Sequence, residues 1–187
     1  MNYNNIVKYL FELGHLKKIK HEGWRLLGIA NPESIADHSL RAAQIGFVLA
    51  KLEKFENPYL VTTMLVFHDV GEIRIGDIHL IAKKYLKINE IDAVRDQLVD
   101  LKIFKNDILK MWSEVEKQNT IAGIIAKDAD LLEQALTAKE FYDNGLLDAN
   151  KWLKNISKSL KTKSAKGILK CIEKKSSSNW WQELNHL

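Results

Sequence analysis

One cysteine, two prolines and no apolar run of bilayer length set the first limits on this 187-residue sequence. Cys171 has no second thiol with which to close a disulfide, a zinc ribbon or a CxxC redox pair, so an inert thiol is expected. With only two prolines and nine glycines, long stretches are free of helix breakers. No stretch approaches the roughly 18 apolar residues of a membrane span, and MNYNNIVKYL lacks the basic-then-apolar layout of a secretory signal. The expectation is a cytoplasmic protein without membrane contact. No segment alternates with period two for long enough to predict a sheet, and no repeat or low-complexity linker divides the chain. A chain of this size buries roughly 70% of its unfolded surface, enough for one core, so the expectation is a single all-α domain over residues 1–187.

Charge is present but unevenly placed. The net charge is +4 and the pI about 9.0. Residues 151–175 hold nine lysines and one glutamate, a local +8, so the remainder is net −4 (+4 less +8). No arginine and no aromatic beyond Trp152 accompanies these lysines, and a solvated lysine-rich helical extension over about 150–187 is expected rather than a nucleic-acid surface.

Helical spacing recurs along the chain. Ile6, Val7, Leu10, Phe11 and Leu13 mark a first helix within residues 3–18, and Pro32 or Ser34 in NPES opens a second that runs to Leu52. In that helix Leu40, Ala43, Phe47 and Ala50 form one stripe and His38, Ala42, Ile45 and Leu49 another, both expected to face the interior. Asn57-Pro58 caps a third helix leading into His68-Asp69. Apolar periodicity then predicts helices over 89–101, around 108–115 and over 120–142. The architecture expected is a compact helical bundle.

His68 and Asp69 stand out because they interrupt the apolar run MLVFHDVGE. An ionisable pair turned into a helical core is costly unless it is hydrogen-bonded or binds a cation. His38 in the preceding helix and Asp130 in a later one offer company, and facing helices of a bundle commonly supply metal ligands in this way. Two imidazoles and two carboxylates suit Mn, Co, Zn, Fe or Mg, and room for water and phosphate requires an ion that tolerates more than four ligands.

GWRLLGIANPESIADHS (23–39), FHDVGEIRIGD (67–77) and AKDADLLEQALTAKEF (126–141) together resemble the HD-domain 5′-deoxynucleotidases and their helical relatives in archaea and eukaryotes. The resemblance spans most of residues 16–142. It implies one divalent metal ion per chain on His38, His68, Asp69 and Asp130, with Glu72 as the acid or base and Asp69 beside it at the reacting centre. It also implies a nucleotide substrate whose sugar meets Asp77, with Gly23, Trp24 and His38 facing it, and a homodimer. The residue chemistry agrees: Glu72 lies four positions after His68, so a continuing helical turn sets its carboxylate on the metal side, where it can relay a proton.

Alternatives stand beside several of these residues. Asp77 is also an ordinary cap for the helix that follows Gly76. Asp128 rivals Asp130, but two positions apart on a helix point in different directions, so one of the pair ligates, and the apolar spacing together with the family resemblance at ADLLEQ chooses Asp130. His15, His21 and His186 read as surface residues; His79 offers an extra ligand or substrate contact as the alternative to a surface role. Many of the resembling sequences place an arginine just before the Gly-Trp pair or in place of its glycine; here Lys20, His21, Glu22 and Gly23 stand there, with Arg25 or Lys20 to substitute. No residue is evident for hydrogen bonds to a base edge, so little nucleobase preference is expected, with ribonucleotides disfavoured. Residues 70–129 contain only His79, which speaks for a mononuclear centre over a dinuclear one. Two other readings remain open: an HD hydrolase acting on another nucleotide or phosphomonoester, and a non-catalytic basic nucleic-acid-binding module with a structural metal.

Overall fold

The computed structural model describes residues 2–186 and the side chains of residues 2–184, so the expectation for His186 lies outside the described residues. The α-helices are α1 (Tyr3–Leu13), α2 (Ile35–Leu52), α3 (Pro58–Phe67), α4 (Glu72–Ile75), α5 (Leu80–Lys83), α6 (Glu90–Gln97), α7 (Lys105–Lys117), α8 (Ile121–Asp143), α9 (Asn150–Ser159), α10 (Lys163–Lys174) and α11 (Asn179–Gln182). Among the described residues there is no strand, only an isolated antiparallel bridge between Lys20 and Ser34. No described helix is long and apolar enough to cross a membrane.

Helix starts follow local chemistry. Ser34, not Pro32, caps α2: its hydroxyl accepts from the Asp37 amide at 3.2 Å while the Asp37 carboxylate accepts from the Ser34 amide at 3.0 Å. This reciprocal box satisfies two donors that the helix leaves free, and it fixes His38 one turn in. Asn57 and Thr120 cap α3 and α8 without reciprocation, their side chains accepting from the Leu60 and Gly123 amides.

Helix α8 is the axis of the molecule, packed against α2, α3, α7, α9 and α10. It buries residues on most of its circumference, among them Asp128, Asp130, Glu133 and Lys139. Buried charges demand partners, and each of these has one. One apolar cluster gathers Trp24, Leu49, Met64, Leu65, Ile125 and Leu132, and a second gathers Ile35, Val70, Val94, Leu98 and Trp112.

The rotation of α2 differs from the expectation. Ala42, Ala43, Gly46, Leu49 and Ala50 are buried, but Leu40 is 65% exposed and Phe47 36%. Small residues let α3 approach so closely that a Cβ at Gly46 would collide with Leu65, and this turns Leu40 and Phe47 outward. All nine lysines of residues 151–175 are exposed on or beside α9 and α10.

Candidate active site

Four side chains from three elements converge. His38 projects from the first turn of α2, His68 and Asp69 follow the end of α3, and Asp130 sits mid-way along α8. His38 Nε2 lies 3.2 Å from Asp130 Oδ1 and 3.7 Å from Asp69 Oδ2; His68 Nε2 lies 3.1 Å from Asp69 Oδ2 and 4.0 Å from Asp130 Oδ1.

The far side of each imidazole is fixed by the fold. His68 Nδ1 donates to the Leu65 carbonyl at 2.7 Å, which leaves the Nε2 lone pair directed into the cluster, buried and without a hydrogen-bond partner. His38 Nδ1 pairs with Glu133, a fully buried carboxylate that also accepts from Arg41 Nε at 2.8 Å and from Thr137 at 3.1 Å. Burial alone would raise Glu133, but His38 and Arg41 hold it below its ordinary value. Each ring therefore presents Nε2 toward the two aspartates. An orphaned imidazole nitrogen, a second imidazole oriented by an anion and the buried Asp130 carboxylate form a group that fits a divalent cation, and Asp69 stands beside them with Oδ2 3.1 Å from His68 Nε2.

Asp130 is almost wholly buried, and its charge is sustained by neighbours. Lys127 Nζ is 2.8 Å from Oδ2 and Gln134 Nε2 donates to Oδ1 at 2.9 Å. Against the burial, Lys127 and the two imidazoles keep Asp130 well below the usual carboxylate range. Asp128 faces elsewhere, accepting from the amides of Lys161 at 3.0 Å and Thr162 at 2.6 Å.

The turn after Asp69 continues as a hydrogen-bonded bend, with the Glu72 amide bonding to the Asp69 carbonyl at 3.1 Å, so Glu72 stands beside the cluster. One of its oxygens is buried without a partner. Burial first, then Asp69, Asp77 and Glu90, push Glu72 up to about 10. Gly76 has φ +76°, a conformation open to glycine, and it returns the chain so that Asp77 Oδ2 accepts from the Glu22 amide at 2.6 Å. Asp77 is not the cap of the next helix; His79 caps α5, its Nδ1 accepting from Ala82.

These groups line a cavity of about 630 Å³, a size suited to a small molecule. Gly23, His38, Asp69, Glu72, Asp77 and Asp130 are on its wall. Two expected substrate-facing residues are not. Trp24 is 1% exposed, with its indole N–H donated to Glu33 and its ring packed on Phe141 and Trp152, so it supports the wall from behind. Arg25 points to solvent, paired with Glu22 and the Ala30 carbonyl. Conversely, His21 is no surface residue. The Lys20–Ser34 bridge draws it against His38, ring centroids 4.9 Å apart, with Nδ1 3.4 Å from Glu33, and it lines the cavity, as does His79. Lys127, Gln134, Trp152 and Asn155, none of them singled out from sequence, line it too.

Comparison with known proteins places the whole domain. The sequence matches the HD domain family over residues 13–172. It is 31% identical over 150 residues to 5′-deoxynucleotidase HDDC2 of Dictyostelium discoideum, covering 74% of this chain and 78% of that one. The human protein of the same name is 28% identical over 144 residues, covering 74% and 69%. A conserved hypothetical protein of Pyrococcus furiosus superposes with a TM-score of 0.74 at 28% identity, covering 90% of this chain and 99% of that one. On the extent of the family match and on this shared helical architecture, the chain belongs to the HD domain family.

Proposed function

We propose that the protein is a metal-dependent 5′-deoxynucleotidase that hydrolyses deoxynucleoside 5′-monophosphates to deoxynucleoside and phosphate. The observation that carries this reading is the convergence of His38, His68, Asp69 and Asp130 beside the partnerless buried carboxyl of Glu72, in a cavity of mononucleotide size. Similarity to proteins named 5′-deoxynucleotidase supports the substrate class.

In this reading the two histidines and two aspartates hold one divalent ion, drawn from Mn, Co, Zn, Fe and Mg. Such an ion, when bound, supplies Lewis acidity toward the phosphoryl oxygens and acidifies water. The chain's own groups do the rest. Lys127 supplies the positive side of the phosphate site, with the His21 ring beside His38 on the same wall, in place of the arginine that the resembling family carries. Glu72 gives a proton to the leaving 5′-oxygen as the P–O bond breaks and regains one from the attacking water, so charge is conserved over the cycle. Asp77 accepts from the 3′-hydroxyl and sets the sugar closely enough that a 2′-hydroxyl is left without a partner.

Phosphate release from ribo- and deoxynucleoside monophosphates, with each divalent metal in turn, tests the reading. We expect higher kcat/KM for dAMP than for AMP, and Asp77→Ala should erase most of that difference while metal content is kept. Equal use of AMP and dAMP, or activity confined to triphosphates or cyclic dinucleotides, would overturn it.

The homodimer that the family resemblance implies has a candidate surface. Leu40, Phe47 and Val48 of α2 and Tyr59 and Val66 of α3 are 36–71% exposed, with the Phe47 and Tyr59 rings 5.8 Å apart. Analytical ultracentrifugation should find a dimer that Phe47→Asp splits; a wild-type monomer at micromolar concentration would refute the assignment.

A further inference from the structure

The cavity is chemically divided. Asp69, Glu72, Lys83, Glu90, Glu116 and Lys127 make part of its wall densely charged, whereas Leu26, Leu131, Trp152 and Ile156 are apolar. Resting on the deoxynucleotidase reading, we infer that Trp152, Asn155 and Ile156 of α9, with Leu26 opposite, form the nucleobase subsite: the base lies on the Trp152 ring and Asn155 reads its edge.

Two independent contacts fix which end of the cavity receives the base. Asp77, the carboxylate assigned to the sugar, is bonded to the Glu22 amide, and Gly23 and Leu26 continue the wall from that point. From the other side, α9 runs back along α8. Its C-terminal end is tied to Asp128 through the amides of Lys161 and Thr162, while Trp152, near its start, packs on Trp24 with centroids 5.6 Å apart. Trp152 thus stands at the level of the Gly23–Leu26 turn, on the sugar side of the metal cluster and away from Lys127.

The side chains there suit a planar heteroaromatic group. Trp152 is half-buried against Trp24 and so is held rigid, and a supported indole stacks a base at little entropic cost. Trp152, Asn155, Ile156 and Ser159 recur at helical spacing on one face of α9. Gln134 has its amide nitrogen committed to Asp130, but the Asn155 amide makes no side-chain hydrogen bond among the described residues. A free primary amide offers a donor and an acceptor side by side, which is what a base edge requires. The sequence had suggested no such group and therefore weak nucleobase preference; Asn155 predicts a ranking among the four bases. Lys151, the cation at this end, is exposed and paired with Asp148 at 2.8 Å, which leaves no buried positive charge to recruit a phosphate here instead.

The test compares the four deoxynucleoside monophosphates with 2-deoxyribose 5-phosphate, which keeps sugar and phosphate and lacks the base. Metal-loaded full-length protein is titrated with each by calorimetry, and phosphate release is followed in parallel. Wild type should bind nucleotides about 10- to 100-fold more tightly than the sugar phosphate, the span that one stacked base contributes. Trp152→Ala should bring that ratio close to one, with circular dichroism checking the fold because of the contact with Trp24. Asn155→Ala, an exposed position, should keep most of the ratio and narrow the spread among the four bases. A folded Trp152→Ala protein with an unchanged ratio, or a wild type that binds the sugar phosphate as tightly as nucleotides, overturns the subsite alone. If neither nucleotides nor the sugar phosphate bind or release phosphate, the deoxynucleotidase reading itself falls, and the subsite with it.

Discussion

Glu72→Ala is expected to lower kcat by roughly 10²- to 10⁴-fold, the usual contribution of a general acid or base, with metal content and fold retained. The fold should survive because Glu72 adds little to it: one oxygen is buried without a partner, and such a group costs about 1–3 kcal/mol rather than stabilising. A carboxyl pushed up to about 10 by burial and by Asp69, Asp77 and Glu90 keeps its proton at neutral pH. A divalent cation held by the histidines and aspartates would lower that value, because a nearby positive charge favours the carboxylate and so eases the return of the proton. Glu72→Gln keeps the shape and loses the exchangeable acid, so it should be nearly as slow as the alanine variant. Undiminished turnover by a metal-replete Glu72→Gln protein would remove Glu72 from the reaction and leave Asp77 as the next carboxylate to examine.

Purified protein should carry about one divalent metal per chain, and His68→Ala or Asp130→Ala should lose it. The reason lies in the partners as much as in the four groups. His68 Nε2 has no hydrogen-bond partner among the described residues, and Asp69 and Asp130 both approach the same two imidazoles. Without a cation the two carboxylates share a poorly solvated space, so binding should also raise Tm. At free metal one hundred times Kd the gain is about 2.7 kcal/mol. Glu133→Gln, which touches no cation itself, should weaken metal affinity by about 10- to 100-fold, because the His38 ring loses the anion that orients it. Elemental analysis and thermal melts check these outcomes together; full metal retention by either alanine variant would sink the site.

Legibility varied with the range of the interaction. His68 and Asp69 stood out because they interrupt an apolar run, His38 and Asp130 offered company on neighbouring helices, and the resemblance to the HD-domain family joined the four as a set; helix starts at Ser34, Asn57 and Thr120 were written in their own side chains. Lys127 and Gln134 were within reach: they lie three before and four after Asp130, on the same helical face. His21 was not, because its place against His38 depends on a two-residue bridge to Ser34 that leaves no period in the sequence. Trp24 misled for a related reason. A tryptophan beside a motif can face the ligand or brace the wall, and only the packing of Phe141 and Trp152, more than one hundred residues on, decides between them. The outward turn of Leu40 and Phe47 was equally hidden, since the pattern marks apolar positions without saying which side the small residues will pull inward.

The bonds from Asp128 to the Lys161 and Thr162 amides act as a length gauge. They pin α9 in register with α8, so the ladder from Trp152 to Ser159 cannot slide relative to Asp130. Seven residues of helix span about 10 Å at 1.5 Å per residue. A ligand whose charged head and flat ring lie within that span can engage both ends at once. In the deoxynucleotidase reading, one carrying a second nucleotide would leave part of itself outside, and a carboxylate that never touches the ligand would help set the length that fits.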